Sequence, residues 1–156
     1  MTYTVCVGVD GSEPSLDALR FAIAEASVRG GEVRVLTTWW LANSLPGTVD
    51  VETEKYQQQA TLVQEAALAT VLEDYDDPPT IHRLVVRGTA SEALVLHSRN
   101  DDHLVVGSHH KGVLKRFVES SVSTYCIRHS RIPVTVVPHL APALTDVDPR
   151  DPSAQD

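Results

Sequence analysis

Cysteine is scarce in this chain. There are two, Cys6 and Cys126, with no Cys-x-x-Cys and no metal-ligand spacing around either. Both stand among apolar neighbours, Val5-Cys6-Val7 and Tyr125-Cys126-Ile127, so buried free thiols are expected. No apolar run approaches the ~20 residues that a membrane span needs. The opening Met-Thr-Tyr-Thr passes at once into an apolar segment with no basic leader. The expected compartment is the cytoplasm, and no membrane is expected as a partner. Positive charge is in deficit: 13 Lys and Arg against 21 Asp and Glu leave a formal net charge of −8. Such a chain repels a phosphate backbone, which argues against nucleic acid as a partner and requires any phosphate to be met locally.

Several catalytic signatures are missing as well. No G-x-x-x-x-G-K-[ST] occurs, no G-x-G-x-x-G follows a strand, and there is no G-x-S-x-G elbow, so P-loop, Rossmann and α/β-hydrolase machinery is excluded. The seven histidines include no H-E-x-x-H. His103, His109 and His110 do not share a helical face, and no metal site is expected. A phosphoacceptor receiver domain would need an Asp ending its third strand, where this chain has Val85-Val86-Arg87-Gly88.

What is present is the composition of one globular domain: 156 residues, 42% hydrophobic and 22% charged. Valine-rich Tyr3–Val9 reads as a strand ending in the turn Asp10-Gly11-Ser12. From Pro14, Leu16, Leu19, Ala22, Ile23 and Ala26 recur at three- and four-residue steps, an amphipathic helix stopped by Gly30-Gly31, with Ser12 placed to cap it. Glu32–Trp39 is a second strand. A long helix follows over about Val51–Tyr75, ended by Asp76-Asp77-Pro78-Pro79. Thr80–Val86 is a third strand, Ala90–Arg99 a short helix, His103–Gly107 a fourth strand, Ser120–His129 a last helix and Ile132–Val137 a fifth strand. The tail 140–156 is rich in Pro, Asp and Ala without apolar periodicity and reads as an unstructured acidic segment after a domain at 1–139. Strands apolar along their length that alternate with helices require a parallel sheet covered on both faces. In such sheets ligands bind beyond the carboxyl ends of the strands, where the strand order reverses.

Two strand ends carry chemistry. Asp10, in Gly8-Val9-Asp10-Gly11-Ser12, is placed for a ribose hydroxyl or a metal, although a plain turn capped by Ser12 has the same sequence. After the fourth strand, Gly107 leads to Ser120, Ser121 and Ser123 at the start of a helix, where backbone N–H groups and hydroxyls favour an anion. Serine N-capping is the alternative there. His109, His110, Lys111, Lys115 and Arg116 gather positive charge in the same stretch.

The segments Val-Gly-Val-Asp-Gly-Ser-Glu-Pro-Ser after the first strand, Leu-Val-Val-Gly-Ser with the later Ser-Ser-Val-Ser, and Ile-Pro-Val-Thr-Val-Val near the end resemble the universal stress protein family from about Tyr3 to Pro138. The resemblance implies an adenine nucleotide α-hydrolase-like fold, a five-stranded parallel sheet in the order 3-2-1-4-5 with helices on both faces. It also implies a small stress-response regulator that is not an enzyme, and a homodimer formed through the fifth strand, Ile132–Val137. Members that bind ATP share a Gly-x-x-Gly-x₉-Gly-Ser/Thr pattern. Carried onto this chain, that pattern places Gly107 at its first glycine, His110 and Ser120 at its second and third, and Ser121 at its hydroxyl, with Val122 and Ser123 following. Asp10 would lie at the ribose and Thr38 near the adenine. ATP, with Mg²⁺, or another adenine nucleotide such as cyclic AMP is the implied ligand. Because two glycines are replaced, a dimeric interaction scaffold with an altered, empty pocket stands as the alternative.

Overall fold

A computed structural model describes residues 1–40, 51–108 and 122–139. Strands and helices alternate through them: β1 (Thr4–Gly8), α1 (Glu13–Arg29), β2 (Glu32–Trp39), α2 (Val51–Leu72), β3 (Ile81–Arg87), α3 (Ala90–His97), β4 (His103–Ser108), α4 (Val122–His129) and β5 (Val134–Pro138). The strands form one sheet in the order β3-β2-β1-β4-β5, and every neighbouring pair is parallel. This is the expected fold. The order reverses between β1 and β4, the two strands whose ends carry Asp10 and Gly107. The expected tail, 140–156, lies outside the described residues.

Side-chain alternation along β1 divides the core. Val5 and Val7 face one side, with Val33, Val35 and Val105, against Leu16, Leu19, Ala22, Ile23 and Ala26 of α1 and Ala67, Leu68 and Val71 of α2. Cys6 faces the other, with Leu36, Leu104 and Val106, against Ala93 and Leu94 of α3 and Cys126 of α4. The central strand is thus covered on both faces, as its unbroken apolar run requires. Edge strands β3 and β5 are only half-buried. β5 carries Pro138 as a paired residue rather than stopping before it, which an edge strand tolerates because one side needs no N–H donor.

Element ends follow local chemistry. Gly30 is left-handed (φ 62°), and the Gly31 N–H bonds back to the Ala26 oxygen at 2.8 Å, closing α1. α2 stops at Leu72, short of the expected Tyr75. Its final turn has no basic residue, and the acidic Glu73 and Asp74 that follow are unfavourable at the negative end of a helix. Ser12 does occupy the N-cap position of α1, but its hydroxyl does not cap the helix. The charged acceptor of Asp10, two residues back, takes it instead.

Candidate functional site

At the carboxyl end of the sheet, the chain leaves β1 through a turn built on Asp10. Its Oδ1 accepts the Ser12 N–H at 2.9 Å and the Ser12 hydroxyl at 2.5 Å. This is an Asx turn, in which the side chain substitutes for a backbone acceptor. The Asp10 N–H donates to Ser15 Oγ at 3.3 Å, and that hydroxyl donates to the Ser12 carbonyl at 2.8 Å, so the turn is tied to the first turn of α1. Gly11 between them has φ +83°, and a Cβ there would fall 2.9 Å from Val63 Cγ1 of α2. Both conditions restrict the position to glycine.

Asp10 opens onto a cleft of about 220 Å³ lined by Thr37, Thr38, Trp39 and Trp40 from the end of β2 and by Tyr56, Gln59, Ala60 and Val63 from α2. The structure therefore brings Asp10 and Thr38 to one place. A larger depression of about 480 Å³ runs over Glu54, Gln57, Gln58, Thr61 and Leu62. Its described lining comes from α2 alone and includes none of the predicted site residues.

Beneath the cleft a polar chain joins α2 to the sheet. The fully buried Gln64 donates through Nε2 to the Val35 carbonyl at 3.1 Å, to Thr37 Oγ1 at 3.1 Å and to the Leu84 carbonyl at 3.2 Å. Thr37 in turn donates to the Val9 carbonyl at 2.8 Å. Gln64 Oε1 accepts Arg83 Nε at 3.1 Å, and Arg83 also pairs with Glu65 at 3.0 Å. At the rim, the Arg87 guanidinium stands 5.7 Å from the centre of the Trp39 ring, a cation–π distance.

Gly107, expected at the first glycine of the nucleotide pattern, stands where β4 passes the first turn of α1. A Cβ there would lie 2.3 Å from the Pro14 carbonyl oxygen, so the residue is small because β4 passes directly against the first turn of α1. Gly107 is not among the residues lining the cleft, and neither are Val122 and Ser123, which open α4 with Val122 exposed and Ser123 half-buried. His110, Ser120 and Ser121 lie outside the described residues, as does the cationic stretch His109 to Arg116.

The cysteines are free and fully buried, as expected. Burial pushes the Cys6 thiol up to about 12 and the Cys126 thiol up to about 11, so neither supplies a thiolate near neutral pH. Among the described residues no three His, Cys, Asp or Glu side chains gather as a metal centre would need, and no helix is long and apolar enough to cross a membrane. The sequence reading passed over Thr37, Trp39, Trp40, Tyr56, Gln59 and Gln64. The one signal available for any of them was the Trp-Trp pair at a strand end.

Comparison with known proteins gives a consistent picture. The universal stress protein family model matches residues 1–138. A universal stress protein of Mycobacterium tuberculosis (strain H37Rv) is 37% identical over 134 residues, which are 85% of this chain and 44% of that protein. The chain thus spans about half the length of the curated relatives it matches. Among solved structures, a universal stress protein UspA from Lactobacillus plantarum superposes with a TM-score of 0.70 at 15% identity, over 87% of this chain and 97% of that one. A universal stress protein solved in complex with cAMP superposes with a TM-score of 0.59 at 25% identity, over 87% of this chain and 96% of that one.

Proposed function

The chain belongs to the universal stress protein family, and from that premise we propose that it is a dimeric regulator that binds an adenine nucleotide in the cleft between β2, α2 and Asp10. The observation that carries this reading is the convergence of Asp10 and Thr38, from the ends of two neighbouring strands, beside the point where strand order reverses. A carboxylate at a strand end accepts the hydroxyls of a ribose, and a threonine hydroxyl beside apolar surface can bond to the edge of a base. The structural neighbour that holds cAMP supports a nucleotide of this class. ATP, with Mg²⁺ on its phosphates, is the fuller ligand in this reading, the phosphates extending toward Gly107 and the segment of His110, Ser120, Ser121, Val122 and Ser123.

The protein acts by holding the ligand rather than by turning it over. Asp10 is the one carboxylate among the described lining residues, and its Oδ1 already accepts two bonds from Ser12. The position of β5 supports dimerisation through it. It pairs with β4 on one side, and among the described residues no strand pairs with its outer edge. The cytoplasm is the compartment in which such a regulator would meet its ligand.

Calorimetric titration of nucleotide-free protein with ATP and Mg²⁺, and separately with cyclic AMP, tests the reading. Micromolar binding weakened about tenfold or more by Asp10→Ala is expected, since a charged hydrogen bond contributes ~1.5–3 kcal/mol. Absence of heat with every nucleotide would overturn it and leave the dimeric scaffold, with His110 and Ser120 closing the pocket. Sedimentation at micromolar concentration reports the dimer independently.

A further inference from the structure

The segments that lead into β4 and β5 gather positive charge in a chain whose net charge is −8. Arg99 follows α3, Arg128 stands in the last turn of α4 and Arg131 lies just beyond it, and all three are exposed. The topology makes these segments neighbours. β4 and β5 pair in parallel, and the Leu104 N–H donates to the Pro133 carbonyl at 2.9 Å, so the residues before β4 run beside those before β5. α3 and α4 also pack against each other over the Cys6 face of the sheet.

The acids of the same region are engaged elsewhere. Asp101 is buried against Arg34, and the exposed Asp102 accepts the Thr4 N–H at 2.8 Å through its Oδ2. Arg20, Arg29, Arg34 and Arg83 each pair with a carboxylate, whereas among the described residues no carboxylate lies within ion-pair distance of Arg99, Arg128 or Arg131. The negative end of α4 favours Arg128 in its last turn, but that effect is confined to the turn, and Arg131 lies past it.

Two large aliphatic side chains accompany these charges. Ile127, next to Arg128, is 60% exposed, and Leu96, three residues before Arg99, is 52% exposed. Apolar side chains open to water among arginines combine the two groups that a protein-binding surface uses. A nucleic acid would gain nothing from Ile127 and Leu96 and would be repelled at longer range by the acidic whole. A polypeptide that carries both carboxylates and apolar side chains gains from both kinds of group.

We propose that this surface, at the amino end of the sheet and so opposite the end that carries Asp10, docks an acidic, leucine-bearing segment of a partner protein. Arg99, Arg128 and Arg131 hold its carboxylates, and Ile127 and Leu96 receive its apolar side chains. The surface stands whether or not the cleft beside Asp10 holds a nucleotide.

The test is titration of the ¹⁵N-labelled full chain with a short synthetic peptide of repeating Asp-Glu-Leu, followed by amide shifts and, with a fluorescent peptide, by anisotropy. Shifts should concentrate around Leu96, Arg99 and Ile127 to Arg131. Affinity should fall about tenfold or more between ~0.05 and ~0.5 M NaCl, since exposed charges are screened. Arg99→Gln, Arg128→Gln and Arg131→Gln combined should weaken binding about tenfold, the effect of losing three exposed ion pairs. Ile127→Ser should weaken it about five- to tenfold through lost apolar burial. Far-UV circular dichroism checks that the variants fold, and the single arginine variants stand in if the combination does not. Undiminished binding by the arginine variants, shifts centred on other parts of the chain, or no shift at millimolar peptide would overturn the proposal. Tighter binding of a single-stranded oligonucleotide or of anionic phospholipid vesicles than of the peptide, unaffected by Ile127→Ser, would also overturn it, in favour of a nucleic acid or a lipid surface.

Discussion

Gly107→Ala should destabilise the fold before it affects any ligand. An ideal Cβ at this position falls 2.3 Å from the Pro14 oxygen, 2.5 Å from its carbonyl carbon and 3.0 Å from the Ser15 nitrogen, whereas ordinary contact begins at 3.4 Å. All three are backbone atoms in the first turn of α1, so no rotamer change relieves them. Either α1 or β4 must recede by about 1 Å, and a gap of 0.5–1 Å already forfeits roughly a quarter to a half of each dispersion contact across it. The contacts at stake are those of Leu16, Ala18, Leu19, Ala22, Ile23 and Ala26, which α1 buries.

Opposing this, Gly107 is not among the positive-φ glycines, so alanine would by itself stabilise by ~0.4–1 kcal/mol through the unfolded chain. Overpacking costs ~1–3 kcal/mol, and a clash with backbone belongs at the upper end of that range. The net is a loss of about 2 kcal/mol, read as a lower urea midpoint with unchanged slope. At ~2–4 °C per kcal/mol for a chain of this size, Tm should fall by roughly 4–8 °C. A variant that unfolds at the wild-type midpoint yet no longer binds nucleotide would refute the packing argument and return Gly107 to the role of admitting a ligand.

The Arg34–Asp101 pair should respond asymmetrically to truncation. The Asp101 side chain is 2% exposed and receives Arg34 at 2.8 Å, whereas Arg34 is 33% exposed and also bonds the His97 carbonyl. Arg34→Ala strands a buried carboxylate and should cost about 3–5 kcal/mol, Asp101→Ala clearly less; equal losses in urea midpoint would contradict this. Burial holds the Asp101 carboxyl above its usual range despite the opposing pull of Arg34. The folded state therefore keeps that proton to higher pH than the unfolded state, and stability from this group falls as pH rises from about 4 through the folded value. Arg34→Ala should steepen that fall relative to wild type, measured as urea midpoints between about pH 4 and 7, and a parallel pH profile would count against it. The thiols, at about 12 for Cys6 and about 11 for Cys126, should resist a disulfide reagent at pH 8 until urea unfolds the chain. Stoichiometric labelling of native protein within minutes would show that the core opens far more readily than its burial implies.

The alternation of strands and helices was legible because its signals are local, whereas the strand order came from the family resemblance. α1 announces itself through Leu16, Leu19, Ala22, Ile23 and Ala26 and through Gly30, and β2 has the boundaries that its apolar run implies. Asp10 was singled out as a strand-end residue and Thr38 through the family resemblance, and both line one cleft. What stayed hidden depends on contacts distant in sequence. The close approach of Pro14 to Gly107 is one such contact. Gln64 sits in an alanine-rich helix among exposed glutamines, and nothing local distinguishes it from Gln57 or Gln58, yet it is fully buried. Tyr56 and Trp40 belong to different elements, and only the packing of α2 on the sheet brings them to one cleft.

That packing is fixed by groups that owe nothing to a ligand. Tyr56, Gln59, Ala60 and Val63 recur at three- and four-residue steps on α2, so whatever fixes the rotation of this helix fixes them together. Gln64 follows Val63 directly, and its amide reaches carbonyls on β2 and β3 as well as Thr37, itself a lining residue. Turning α2 would leave that buried amide unsatisfied, at ~1–3 kcal/mol, whereas a purely apolar contact would slide at little cost. On the opposite side Asp10 is held by Ser12 and, through Ser15, by α1, and α1 is in turn seated against β4 at Gly107. The acidic and aromatic sides of the cleft therefore keep their separation in the absence of any occupant. A site set in this way would lose little ordering free energy on binding the nucleotide proposed for it.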